Sequence, residues 1–96
     1  MNMRIKLIID GKEKTFTAPF VSSRRLKDTF ALKAKFANGI DEEKMIDEAG
    51  NYLVNIYGKQ FTIDELLDGF PANNFFTQAV EDMQRVMGDL DDSLKN

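Results

Sequence analysis

The apolar residues of this 96-residue chain change period once, at Pro19, and that change limits the possible folds more than any other feature. Before it, Met3, Ile5, Leu7 and Ile9 alternate with Arg4 and Lys6, the two-residue repeat of a strand with one buried face. Ile8 breaks the alternation just ahead of Asp10-Gly11, a pair that tolerates the positive φ of a tight hairpin turn. Lys12 to Ala18 then returns as a second strand anchored by Phe16, and Pro19, which has no amide hydrogen for the ladder, ends it. Beyond Pro19 apolar residues recur at helical spacing, so the class expected is α+β: an N-terminal β-hairpin followed by about four α-helices in a single small domain.

Four helices can be bounded from their caps. Ser22 and Ser23 are candidate N-caps for a helix over 24–37, with Leu26, Phe30, Ala34 and Ala37 as its stripe, Leu32 and Phe36 widening it, and Asn38-Gly39 as its stop. Asp41 suits the cap of a second helix over 42–57, whose buried stripe is Met45 or Ile46, then Ala49, Leu53, Ile56 and Tyr57. Gly50 costs that helix about 1 kcal/mol relative to alanine, so a close approach is expected there. Thr62 and Glu65 have capping-box spacing, and Phe61 and Leu66 that of a hydrophobic staple, which starts a short helix over 63–68 ended by Gly69. Pro71 opens the last helix, whose apolar face is Phe75, Phe76, Ala79, Val80, Met83, Val86 and Met87. Gly88 is expected to terminate it, which makes 1–88 the folded domain and 89–96 an acidic flexible tail.

The chain has neither cysteine nor histidine. Disulfides, thiolate and imidazole metal sites, and Ser-His or Cys-His nucleophile pairs are therefore excluded. The carboxylates are spread along helices rather than paired, and Asp89, Asp91 and Asp92 lack the glycine and the distal glutamate of a calcium loop. No catalytic, cofactor-binding or metal residue is expected, so the chain reads as a non-enzyme. Its longest apolar run, Leu7-Ile8-Ile9, is far shorter than the roughly 20 residues of a membrane span, and Met1 to Arg4 does not resemble a signal peptide, so the expected location is cytoplasmic, with no membrane partner.

The net charge of −3 hides an asymmetry. Residues 1–37 hold nine Lys or Arg against three acids, a balance of +6, and residues 38–96 hold four against thirteen, a balance of −9. Such halves either solvate two faces or attract one another between copies, which favours a head-to-tail homo-oligomer with Arg24, Arg25 and Lys27 as its basic contact. The same basic helix, extended by Lys33 and Lys35, could neutralise nucleic-acid phosphates. An acidic chain without a nucleic-acid motif makes that the weaker reading, and no nucleic-acid partner is expected.

Two segments carry a family resemblance: Thr15-Phe16-Thr17-Ala18-Pro19-Phe20-Val21 leading into Ser23-Arg24-Arg25-Leu26, and Tyr57-Gly58-Lys59-Gln60-Phe61-Thr62-Ile63-Asp64-Glu65-Leu66 followed by Asp68-Gly69-Phe70. They resemble the tail assembly chaperones of long-tailed phages and prophages of Gram-positive bacteria, over about residues 3–88. The resemblance implies a protein that binds and solubilises the tape measure protein during tail morphogenesis and is absent from the mature virion. It also implies a longer frameshifted form that recruits the major tail protein as tube subunits. Leu94-Lys95-Asn96 can be encoded across a heptamer on which ribosomes slip. The family has no catalytic motif to transfer.

Phe70, Phe75, Phe76, Met83 and Met87 are the candidate partner-binding residues. Helical spacing also fits all five as core, but Phe75 and Phe76 point about 100° apart on a helix, so one of them is a candidate for exposure. Flexible methionines beside aromatics suit a surface that accepts many apolar sequences. Two rival functions remain: a structural tail completion or connector protein of the virion, and a small nucleic-acid-binding regulator.

Overall fold

The computed structural model describes residues 3–95, and the side chains of residues 3–88. Met1, Asn2 and Asn96 lie outside it, so the expectations that rest on Met1 to Arg4 and on Leu94 to Asn96 fall in part outside the described residues. The protein is α+β. An antiparallel hairpin of β1 (Arg4–Ile9) and β2 (Lys12–Thr17) precedes α1 (Ser23–Ala37), α2 (Glu42–Ile56), α3 (Ile63–Gly69), a single 3-10 turn (Ala72–Asn74) and α4 (Phe75–Lys95). Asp10 at φ 54° and Gly11 at φ 74° form the turn and set Ile9 opposite Lys12 and Ile5 opposite Phe16. Met3, Ile5 and Leu7 are buried and Ile8 faces solvent, as the alternation requires. A two-stranded hairpin is marginal alone. This one gains its stability by packing those residues on the helical part, where Leu53, Ile56, Tyr57, Leu66 and Ala79 complete the core.

The two segments that carry the resemblance prove to be one joint. Phe16 packs on Phe61 at 5.0 Å between ring centroids, and Phe61 on Tyr57 at 5.9 Å. Gln60 donates to the carbonyls of Thr17 and Tyr57, both at 2.8 Å, so one amide ties β2 to the end of α2. Gly58 (φ 71°) and Lys59 (φ 57°) bend the chain, and a Cβ on Gly58 would lie 2.9 Å from the Pro19 ring. The capping box of Thr62 and Glu65 is complete, with bonds of 2.9 and 3.1 Å, and the staple residues Phe61 and Leu66 are both buried.

Three helical details differ from the sequence reading. In α1 the buried residues are Thr29 and Leu32, with Phe36 half-buried, while Phe30, Ala34 and Ala37 are exposed, a face about 100° from the expected stripe. The reason is Thr29: its hydroxyl donates to the Arg25 carbonyl at 2.7 Å and accepts from the Tyr52 hydroxyl at 2.6 Å, so a polar residue occupies the centre of the contact without loss. In α2, Met45 is half-buried and Ile46 exposed, which decides between them. Finally, α4 does not stop at Gly88. It runs to Lys95, because an unpacked glycine lowers helix propensity by about 1 kcal/mol without breaking the ladder.

Candidate functional site

Along α4 the apolar positions divide by depth. Phe75, Ala79 and Met83 are buried, Val86 and Met87 are half-buried, and Phe76 and Val80 remain 42% exposed. Adjacent Phe75 and Phe76 thus face the core and the surface respectively. Phe36 of α1 meets Phe76 edge-on at 6.4 Å, Phe76 meets Phe75 at 5.4 Å, and Phe75 meets Phe70 at 6.4 Å. This ladder of rings runs from the core out to the α1–α4 seam.

Beside that seam lies an open groove of about 260 Å³, with Phe36, Val80, Met83 and Met87 as apolar walls and Lys33 and Gln84 on its polar rim. Of the five expected partner-binding residues, Met83 and Met87 line this groove, Phe76 flanks it through Phe36, and Phe75 lies beneath in the core. Phe70 sits elsewhere, on a larger cleft of about 620 Å³ between the outer edge of β1 and the segment after α3. That cleft is walled by a mixture of Arg4, Lys6, Glu13 and Asp68, and its Gln78 is already bonded to the Arg4 carbonyl at 3.2 Å.

The expected basic contact is also divided. Arg25 is half-buried and paired with Asp28 at 3.1 Å, whereas Arg24 and Lys27 are exposed and, among the described residues, make no ion pair. Just ahead of them Phe20 is 91% exposed, on the loop between β2 and α1. The sequence reading overlooked both Phe20 and Val80 as surface residues. Phe20 had one signal available: it belongs neither to the strand alternation nor to the helical stripe, so neither core has a position for it.

Asp82 was overlooked as well. It is fully buried under α4, where its carboxylate accepts from the Tyr57 hydroxyl at 2.8 Å, from Gln78 at 2.9 Å and from Arg85 at 2.9 Å. Burial first, and then donation to this carboxylate, push the Tyr57 hydroxyl far above the ordinary tyrosine range. Burial likewise pushes Tyr52 up to about 12. Asp82 itself lines no cavity, and its partners tie α4 to the end of α2 and, through Gln78, to β1. Among the described residues no group of three or more Asp or Glu side chains is placed to hold a metal ion, and no helix is long and apolar enough to cross a membrane.

The arrangement leaves an open apolar groove along α1 and α4. A family model described as phage tail chaperone protein matches residues 1–96. No curated protein and no solved structure matches the chain.

Proposed function

The chain belongs to the phage tail chaperone family, and from that premise we propose that it binds and solubilises the tape measure protein while the tail is assembled. The observation that carries this reading is the groove beside the α1–α4 seam, with Phe76 and Val80 exposed on α4 and Met83 and Met87 in its floor and wall. An amphipathic helix presents apolar residues every three or four positions, and a groove between two helices accepts such a stripe. Methionine side chains adapt to whichever residues the stripe offers, which suits a long client of varying sequence. Apolar burial contributes about 25 cal/mol per Å² before the costs of association, so one copy with one small groove holds the client weakly and many copies along it hold it firmly.

The same reading has the protein act without chemistry of its own, in the host cytoplasm, and leave before the virion is complete. Recruitment of the major tail protein falls to a longer frameshifted form. Co-expression tests the role: the tape measure protein is expected in the soluble fraction with this chain and in inclusion bodies without it. Equal insolubility in both removes the proposal. The rival structural role predicts instead that the chain is found in purified particles.

A further inference from the structure

We propose that Asn38 and Gly39, in the turn between α1 and α2, form a site of spontaneous covalent modification, where the folded chain converts the Asn38 carboxamide to an acid through a cyclic imide. The sequence holds one asparagine followed by glycine, and the structure leaves both residues exposed. Asn38 caps α1 with φ −83° and ψ −3°, and its amide donates to the Ala34 carbonyl at 3.0 Å. Gly39 follows at φ 72°, and a Cβ there would meet nothing within 4 Å. Its own amide is held by a long bond of 3.3 Å to the Phe36 carbonyl.

The reaction consumes only water. The Gly39 nitrogen, having lost its proton to base, adds to the Asn38 side-chain carbonyl carbon; the new N–C bond closes a five-membered ring and ammonia leaves with a proton from solvent. Water then opens the imide at either carbonyl. Attack at the side-chain carbon gives aspartate, and attack at the main-chain carbon gives isoaspartate, whose backbone runs through the former side chain. A side chain at position 39 would crowd the approach, and glycine has none. Asn51 and Asn55 are held back on both counts, since they lie inside α2 and precede Tyr52 and Ile56. At the turn, rotating ψ of Asn38 disturbs only the last turn of α1, because Gly39 has open space beside it. The product sets a carboxylate at the negative end of the α1 dipole, and isoaspartate also displaces the left-handed residue that closes the helix. Phe36 stands in that last turn, against Phe76 at 6.4 Å, so the modification loosens the α1 wall of the groove.

Peptide mapping by mass spectrometry tests the site on the wild-type full chain, aged at body temperature in mildly alkaline and mildly acidic buffer. Conversion at Asn38 is expected at least about tenfold faster than at Asn51 or Asn55, faster in the alkaline buffer, with isoaspartate among the products. It should run within about a hundredfold of the rate in urea, whereas conversion by way of global unfolding would be slower by more than about a thousandfold. The aged chain should melt below the fresh one. Asn38→Gln, whose longer side chain must close a six-membered ring, should age without either change. Conversion no faster than at the helical asparagines, aspartate without isoaspartate, or a folded rate a thousandfold below that in urea overturns the proposal. An aged chain that melts as before overturns its consequence for α1.

Discussion

Asp82 joins three elements at one point, with Tyr57 at the C-terminal cap of α2, Gln78 and Arg85 from α4, and the Arg4 carbonyl of β1 reached through Gln78. Removing it leaves the buried Tyr57 hydroxyl without its acceptor, so Asp82→Ala should destabilise the fold by about 3 kcal/mol in urea denaturation. Replacing both partners, as Tyr57→Phe with Asp82→Leu, should recover most of that loss; no recovery means that the pair is not the seat of the effect. The tyrosines make a second prediction. In the unfolded chain both ionise near pH 10, whereas in the folded chain Tyr52 keeps its proton to about 12 and Tyr57 beyond that. The folded state therefore binds more protons than the unfolded state above pH 10. Stability is fully present below that pH and falls by up to about 1.4 kcal/mol per pH unit per tyrosine as pH rises. Since these are the only two tyrosines, phenolate absorbance should appear together with alkaline unfolding; titration of a folded chain near pH 10 contradicts this. At this scale the sequence was least legible. Asp82 and Thr29 sit at core-facing helical positions, but their acceptability there depends on Tyr57 and Tyr52, 25 and 23 residues away.

Caps, turns and glycines, by contrast, could be read directly because their partners lie within a few residues. The Thr62–Glu65 box and the Asp10-Gly11 turn are local chemistry, and both form as read. The three helical glycines separate by what a methyl group would meet. At Gly69 it lies 2.5 Å from the Ile8 carbonyl oxygen and 3.1 Å from the Ile8 nitrogen, both backbone, so Gly69→Ala should cost about 2 kcal/mol by pushing β1 off α3. At Gly50 its one close contact is the end of the Ile63 side chain at 2.5 Å, which can turn aside, so the gain in helix propensity largely offsets the strain. At Gly88 it meets nothing within 4 Å, and Gly88→Ala should stabilise the protein by about 0.5–1 kcal/mol through a firmer α4. Chemical denaturation of the three variants orders them 88 above 50 above 69. A Gly88→Ala variant that loses stability instead marks that glycine as the helix end after all. The face of α1 was misread for the same reason that Asp82 was missed: a hydrophobicity stripe cannot place a threonine whose hydroxyl is satisfied by its own helix and a distant tyrosine.

Across the whole molecule, 46 × 30 × 21 Å in extent, the division between what holds the fold and what meets a partner becomes visible. Most of the segments that resemble tail assembly chaperones is used internally, in the joint of Phe16, Thr17 and Pro19 with Gly58, Gln60 and Phe61. Of the large apolar residues in those segments Phe20 is left exposed, and the groove is lined by residues outside them. Period and caps sufficed for the architecture, but the groove is a product of how α1 meets α4, which no local pattern encodes. The opposite charges of the two halves imply that self-association weakens as sodium chloride approaches about 1 M, where screening acts within about 3 Å. Sedimentation equilibrium across that range checks it, and a salt-insensitive association contradicts the electrostatic part of the account. The central claim, that the exposed α4 surface beside α1 grips another polypeptide, is tested most directly by a photoreactive side chain placed in turn at positions 76, 80 and 67 during co-expression with the tape measure protein. Leu67, on α3, is exposed to a similar degree but lies off the groove. Cross-links to the tape measure protein from 76 and 80 with little from 67 are what the account predicts, and equal cross-linking from 67, or none from 76 and 80, contradicts it.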